Sequence, residues 1–178
     1  MKSPGNNEPT KKHREDLTGE HPFGDIGQLI IALLFLIVWI TDSFLKYSTL
    51  LNKYIPLAVQ ITLGAIVLIV ALIATRYGMN TIFNEVREKH VVVRKGVFGI
   101  VRHPIYLSEI LFYLALIIFR TSLVATAIWV IAIIFLYYLS KYEEKLLTER
   151  FGEEYRQYMK DVGMFFPKLT RRKEKKTD

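Results

Sequence analysis

The chain has 178 residues, of which 51% are hydrophobic, carries a formal net charge of +7 and contains no cysteine. One domain is the default at this length. The lack of cysteine excludes disulfides, thiolate catalysis, cysteine metal sites and palmitoylation.

The first 24 residues mix Pro, Gly, Asn and both signs of charge without periodicity, which predicts a flexible arm. His13 and His21 lie in it, and no preformed site would hold them around a metal. No cleavable leader is expected, because the apolar run comes later and serves as its own insertion signal. Leu29–Ile40 is unbroken and apolar and predicts a first helix over about 26–47, with Asp42 near its outer end facing water. Residues 46–53 read as a short turn. Tyr54–Thr75 holds 22 residues without a charge, giving a second helix over about 54–76 with Pro56 in its first turn. Only Gln60, Thr62 and Thr75 are polar there, so its expected role is packing.

Arg76–His103 is then a long connection, and connections of that length are usually functional or disordered. Within it, Thr81–His90 is compatible with a short interfacial helix. Val91-Val92-Val93 prefers extended backbone. A third helix over about 104–119 opens at Pro104, and a fourth over about 121–142 includes 20 uncharged residues, Thr121–Ser140. About 20 mainly apolar residues span a bilayer. The expectation is therefore an all-α polytopic membrane protein: four transmembrane helices in one domain over 25–168, an ordered cytoplasmic loop and a C-terminal amphipathic helix. The fourth helix is expected to run on through Lys141–Lys160, where Phe151, Tyr155 and Tyr158 form an aromatic stripe. A soluble bundle would show polar faces that the second and fourth helices lack. Residues 169–178 read as a basic tail.

The charges follow this topology. Of 24 Lys and Arg residues, 21 fall before the first helix, between the second and third, or after the fourth. The positive-inside rule puts those segments and both termini in the cytoplasm. Anionic headgroups account for the basic balance, and no nucleic-acid partner is required.

Chemistry concentrates on that side. Arg102, His103 and Pro104 stand where the chain enters the bilayer, and Glu109 follows inside an apolar run. Ionisable groups there cost roughly 2.5–3.5 kcal/mol at a helix centre on insertion scales, so a segment that keeps them tends to use them. Tyr106, Glu109 and Tyr113 share one helix face. Glu109 is either a ligand contact or a first-turn carboxylate favoured by the helix dipole. There is no zinc signature, no placeable Ser-His-Asp set and no G-x-G-x-x-G after a strand. His103 alone would read as a hydrogen-bonded helix cap.

The combination is more specific. Gly96-x-Phe98-x-x-x-Arg102-His103-Pro104-x-Tyr106 is followed by Glu143-Glu144-x-x-Leu147-x-x-x-Phe151-Gly152-x-x-Tyr155-x-x-Tyr158. Together they resemble the isoprenylcysteine carboxyl methyltransferase family, within a wider group of membrane phospholipid N-methyltransferases. The resemblance covers about Val91–Lys168 and favours the small prokaryotic members. It implies an integral membrane enzyme that uses S-adenosylmethionine, with Phe98, Arg102, His103, Pro104, Tyr106, Glu143, Glu144 and Tyr155 around the cofactor. Arg102, Glu109 and Glu144 are the candidate catalytic residues, and Arg102 is also a candidate for holding the acceptor. The acceptor would be a lipophilic small molecule or lipid entering from the membrane. Eukaryotic prenylcysteine enzymes carry an arginine near the position of Lys141, and lysine does not reproduce its bidentate grip on a carboxylate.

The residues suit a sulfonium cofactor. Phe98, Tyr106 and Tyr155 offer rings to the cation, and a carboxylate can bind the α-amino group. A carboxylate acceptor would want an arginine, whereas an amine or thiol would want a base, for which Glu109, Glu144 or His103 would serve. Substituting His103 or Glu144 by Ala is expected to weaken cofactor binding without unfolding the chain. Two rivals remain at this stage. One is an NADPH-dependent membrane sterol-type reductase, which shares an Arg-His-Pro-x-Tyr stretch. The other is a non-enzymatic membrane interaction protein anchored by its aromatic-basic segment.

Overall fold

The computed structural model describes residues 24–84 and 92–168. These contain five α-helices: α1 (Gly24–Leu45), α2 (Leu57–Asn84), α3 (Pro104–Phe119), α4 (Leu123–Phe151) and α5 (Glu153–Asp161). Short 3-10 turns occupy Leu50–Tyr54 and Gly96–Gly99. The arm with His13 and His21 and the basic tail lie outside the described residues.

Three helices, α1, α2 and α4, are long and apolar enough to cross a membrane, and α3 is a shorter apolar helix. At 1.5 Å per residue α1 spans about 33 Å and α3 only about 24 Å, against a hydrocarbon layer of roughly 30 Å. Leu33, Ile37, Ile66, Ile69 and Ile73 are exposed, the expected state of side chains that meet lipid. The core lies where α3 meets its neighbours. α2 packs along α3, and α4 packs against both α3 and α1. Phe35 of α1 stacks on Tyr113 of α3 at 4.5 Å, beside Ile117, Ala125, Ile128 and Ala132.

Helix ends follow local chemistry. Pro104 opens α3 as a first-turn residue whose missing N–H is no loss. Ser122 caps α4, its hydroxyl accepting from the Ala125 amide at 3.1 Å. Gly152, at φ 58°, ends α4 and starts α5 in a conformation that costs a side-chain-bearing residue free energy. The expected continuous helix over Lys141–Lys160 is therefore two helices with a bend.

Two further expectations are corrected. α2 does not stop near Thr75 but continues to Asn84. Thr81–Asn84 thus belong to a membrane helix rather than to a separate interfacial one, and the rest of that proposed segment, 85–90, lies outside the described residues. Asp42 does not face water. It is fully buried, accepting from the Ser48 amide at 2.8 Å and from the Ser48 hydroxyl, and so closes the turn after α1.

Candidate active site

Residues 101–103, just before α3, run beside the segment that follows α5. Val101 and Gly163 form a parallel bridge. The Arg102 amide donates to the Gly163 carbonyl at 2.8 Å and the His103 amide to Met164 at 3.2 Å. Gly163 is required for this approach: a methyl in its place would sit 1.7 Å from the Phe166 carbonyl oxygen.

The Arg102 guanidinium is committed to this framework. Its Nε donates to Glu144 Oε1 at 2.8 Å, and Nη2 lies 2.6 Å from the same oxygen. Nη1 donates to the carbonyls of Met159, at 3.1 Å, and Val162. The two side chains are 7% and 4% exposed. One buried pair thus joins the loop before α3, the end of α4 and the end of α5.

His103 sits beside this pair. Its Nδ1 is 3.6 Å from Glu143 Oε2 and its Nε2 is 3.4 Å from Glu144 Oε1. Both separations are long for hydrogen bonds, and the buried Nε2 makes none among the described residues. The His103 and Tyr106 rings are parallel, with centroids 5.6 Å apart, and Phe165 meets His103 edge-on at 6.2 Å. The Tyr106 hydroxyl donates to Glu143. Lys141 reaches the outer oxygen of Glu144 at 3.8 Å but is half-exposed. Taken together, two carboxylates, one guanidinium and a histidine occupy one place.

Of the residues singled out in the sequence, Arg102, His103, Tyr106, Glu143 and Glu144 are in mutual contact, and Pro104 is buried beneath them. Phe98 is tied in through its backbone, its carbonyl accepting from the Tyr158 hydroxyl at 2.6 Å. Tyr155 is buried in a neighbouring cluster with Val92, Tyr158 and Val162. Burial raises the pKa of the Tyr155 and Tyr158 phenols well above the ordinary value, and the nearby Glu144 charge adds to both. Glu109 makes a different contact: it accepts from the Tyr113 hydroxyl at 2.6 Å, one turn deeper in α3. It shares no hydrogen bond or ion pair with the His103 group.

Some contributors carry no motif. Phe165 and the carbonyls of Met159, Val162, Gly163 and Met164 were not singled out. The signal for them was present in the apolar run Val162–Phe166 that follows the amphipathic helix. Ser140, one turn before Glu144 on α4, is fully buried, and its hydroxyl makes no hydrogen bond among the described residues.

A sequence profile of the phospholipid methyltransferase family matches residues 55–154, which runs from the start of α2 into α5 and takes in Arg102, His103, Tyr106, Glu143 and Glu144. The chain belongs to the phospholipid methyltransferase family. The resemblance carried by the Arg-His-Pro and Glu-Glu stretches is borne out at that level. The chain is also similar to methanethiol S-methyltransferase of Pseudomonas deceptionensis, with 38% identity over 77 residues. That stretch is 42% of this chain and 28% of the relative, so the chain spans well under half the relative's length.

Proposed function

We propose that this phospholipid methyltransferase family member transfers a methyl group from S-adenosylmethionine to a neutral thiol or amine of a lipophilic acceptor, which enters from the membrane. The observation that carries the reading is the cluster around His103: parallel aromatic rings and two carboxylates against a single guanidinium. Such a site suits a ligand that carries a sulfonium and an ammonium, since ring faces attract cations and carboxylates bind ammonium groups. When bound, the cofactor supplies an electrophilic methyl group.

The remaining roles are filled by this chain's own side chains. Glu143, oriented by the Tyr106 hydroxyl, is the carboxylate for the ammonium. His103 and Tyr106 present their rings. Arg102 acts as a positioning residue: it fixes Glu144 and the segment after α5, with four of its five N–H donors engaged. That commitment speaks against a carboxylate acceptor, which would want a free arginine. A thiol or amine instead sheds a proton, and the buried His103 Nε2 is the atom to receive it. The thiol-methylating relative adds support for this acceptor class. Glu109, held by Tyr113 at bilayer depth, is the alternative base for an acceptor that reaches further into the membrane. We read this end of the helices, and both termini, as cytoplasmic, a reading supported by the positive-inside bias of the sequence.

The test is calorimetric titration of the detergent-purified protein with S-adenosylhomocysteine, with NADPH in parallel. Saturable binding of the first alone is the expected result. Binding of NADPH alone would make the protein a reductase, and binding of neither by folded protein would leave a membrane interaction role. With cofactor binding established, lipophilic thiols, amino-lipids and prenylated cysteines are compared as acceptors, and the thiols and amines should turn over.

A further inference from the structure

The opposite end of the helix bundle carries a second polar concentration that methyl transfer does not use. α1 and α3 end there side by side. Trp39 Nε1 donates to the carbonyls of Leu116 at 2.8 Å and Arg120 at 3.2 Å, and Arg120 Nη2 donates to the Ser43 carbonyl at 3.0 Å. Between the helix ends lies an open cleft of about 590 Å³, lined by Trp39, Ser43, Phe44, Lys46, Phe119 and Arg120.

Two cations line this cleft, and neither is in an ion pair among the described residues. The Arg120 Nε is buried and makes no hydrogen bond there. Lys46 follows α1 with φ 59°, the left-handed position that glycine usually takes at a helix end. A side chain kept in that conformation is a strained choice, and strain of this kind clusters at ligand sites. The nearby carboxylate is not paired with either cation: Asp42 is turned to the neutral amide and hydroxyl of Ser48 and forms no ion pair with Lys46 or Arg120 among the described residues. Carbonyls at the two helix ends would repel an anion, yet several are already engaged. The Asp42 carbonyl accepts from the Lys46 amide, Ser43 from Arg120, and Leu116 from Trp39 and the Arg120 amide.

The walls give the ligand its other half. Phe44 is 80% exposed beside the cations, and Phe119 faces the same cleft. α3, at about 24 Å, is shorter than the hydrocarbon layer, and a long cationic side chain at the end of such a helix reaches out to the headgroups. We propose that this cleft binds the phosphate of an anionic membrane lipid. The Arg120 guanidinium and Lys46 Nζ meet the phosphate oxygens, and Phe44 and Phe119 lie against the first methylenes of the acyl chains. A free phosphate ion would use the same cations and leave the aromatic wall in contact with nothing. Bound lipid would bridge the ends of α1 and α3.

The test is native mass spectrometry and thermal unfolding of the full chain in detergent with dioleoylphosphatidylglycerol, dioleoylphosphatidylcholine or sodium phosphate. Phosphatidylglycerol should remain bound and raise the unfolding temperature. Lys46→Gly and Arg120→Gln should each weaken that binding roughly tenfold, the scale of one charge-assisted contact, while S-adenosylhomocysteine affinity stays as in the wild type. Lys46→Gly removes the cation and also relieves the left-handed backbone, so it keeps the test decisive should Arg120→Gln fail to fold. Wild-type lipid affinity in Lys46→Gly overturns the proposal. So does equal stabilisation by phosphatidylcholine, and equal stabilisation by phosphate alone shows a free ion in place of a lipid and overturns it too.

Discussion

Arg102 and Glu144, 42 residues apart, form an ion pair that also holds the carbonyls of Met159 and Val162. Three separate segments converge on it. Removing one partner leaves a buried charge unmatched, which costs about 3–5 kcal/mol. Glu144→Ala and Arg102→Ala are therefore expected to lower the unfolding temperature markedly. This differs from the outcome expected from the sequence, where Glu144 was a cofactor contact and candidate catalytic residue whose substitution by Ala would leave the fold intact. The double variant Arg102→Leu/Glu144→Leu should be more stable than either Ala variant, as thermal unfolding would show. Additive losses would mean that the pair is not coupled.

His103 and Tyr106 should separate binding from folding. His103→Ala removes a ring whose Nε2 makes no hydrogen bond among the described residues. The expected result is folded protein with at least tenfold weaker S-adenosylhomocysteine binding by calorimetry. Tyr106→Phe keeps the stacked ring and deletes the hydroxyl donated to Glu143. One lost hydrogen bond to a charged group is worth about 1.5–3 kcal/mol, so a clear but partial loss of affinity is expected. Wild-type affinity in both variants would remove this face from the cofactor site.

Gly163→Ala should damage the site while sparing the membrane helices. The added methyl collides with the Phe166 carbonyl, so the segment paired with Val101 has to move. A destabilisation above about 1 kcal/mol is expected, since Ala is incompatible with the native backbone there. The expected signature is loss of S-adenosylhomocysteine binding with helix content by circular dichroism nearly unchanged.

Alkaline pH should loosen the same region. Tyr155 and Tyr158 have raised pKa values in the folded state, first because they are buried. A raised phenol pKa means that the unfolded chain releases its proton first, so the stabilisation is complete below about pH 10 and falls as pH rises. The slope is about 1.4 kcal/mol per pH unit for each tyrosine. Phenolate absorbance should rise together with unfolding. Smooth titration near pH 10 in folded protein would show that the two phenols are accessible.

The orientation can be read chemically because the chain has no cysteine of its own. A single cysteine in place of Lys53 should react with an impermeant maleimide from outside intact cells. One in place of Lys145 should react only after lysis. The reverse pattern would invert the topology expected from the charge distribution.

The membrane helices were legible because an uncharged run of 20 residues has few other uses, and α3 begins and ends where Pro104 and Arg120 suggest. The reach of α2 to Asn84 was not legible. Arg76 looks like a boundary in a hydropathy profile, but helical hydrogen bonding does not stop at a charge that can stay at the surface. Asp42 misled for the related reason that a carboxylate beside a turn can satisfy itself locally, through Ser48, and be buried. In the candidate site, the motif residues were visible as side-chain types. The carbonyls of Met159, Val162 and Gly163 were not, because a backbone acceptor leaves no mark on residue identity. Their role in holding Arg102 turns an apparent ligand-binding residue into an organiser of the loop.

The chain order of that clamp has a consequence during synthesis. Arg102 reaches the bilayer edge 60 residues before Val162 is made. At ordinary elongation rates of 5–20 residues per second, that interval is roughly 3–12 s. Throughout it, α3 has to insert beside a guanidinium whose final partners have not yet left the ribosome. The nascent protein therefore passes through a stage with α1 to α3 in place and an arginine at the lipid boundary whose partner Glu144, on α4, has yet to arrive. Quality-control machinery that recognises unpaired charge in membranes would meet it there.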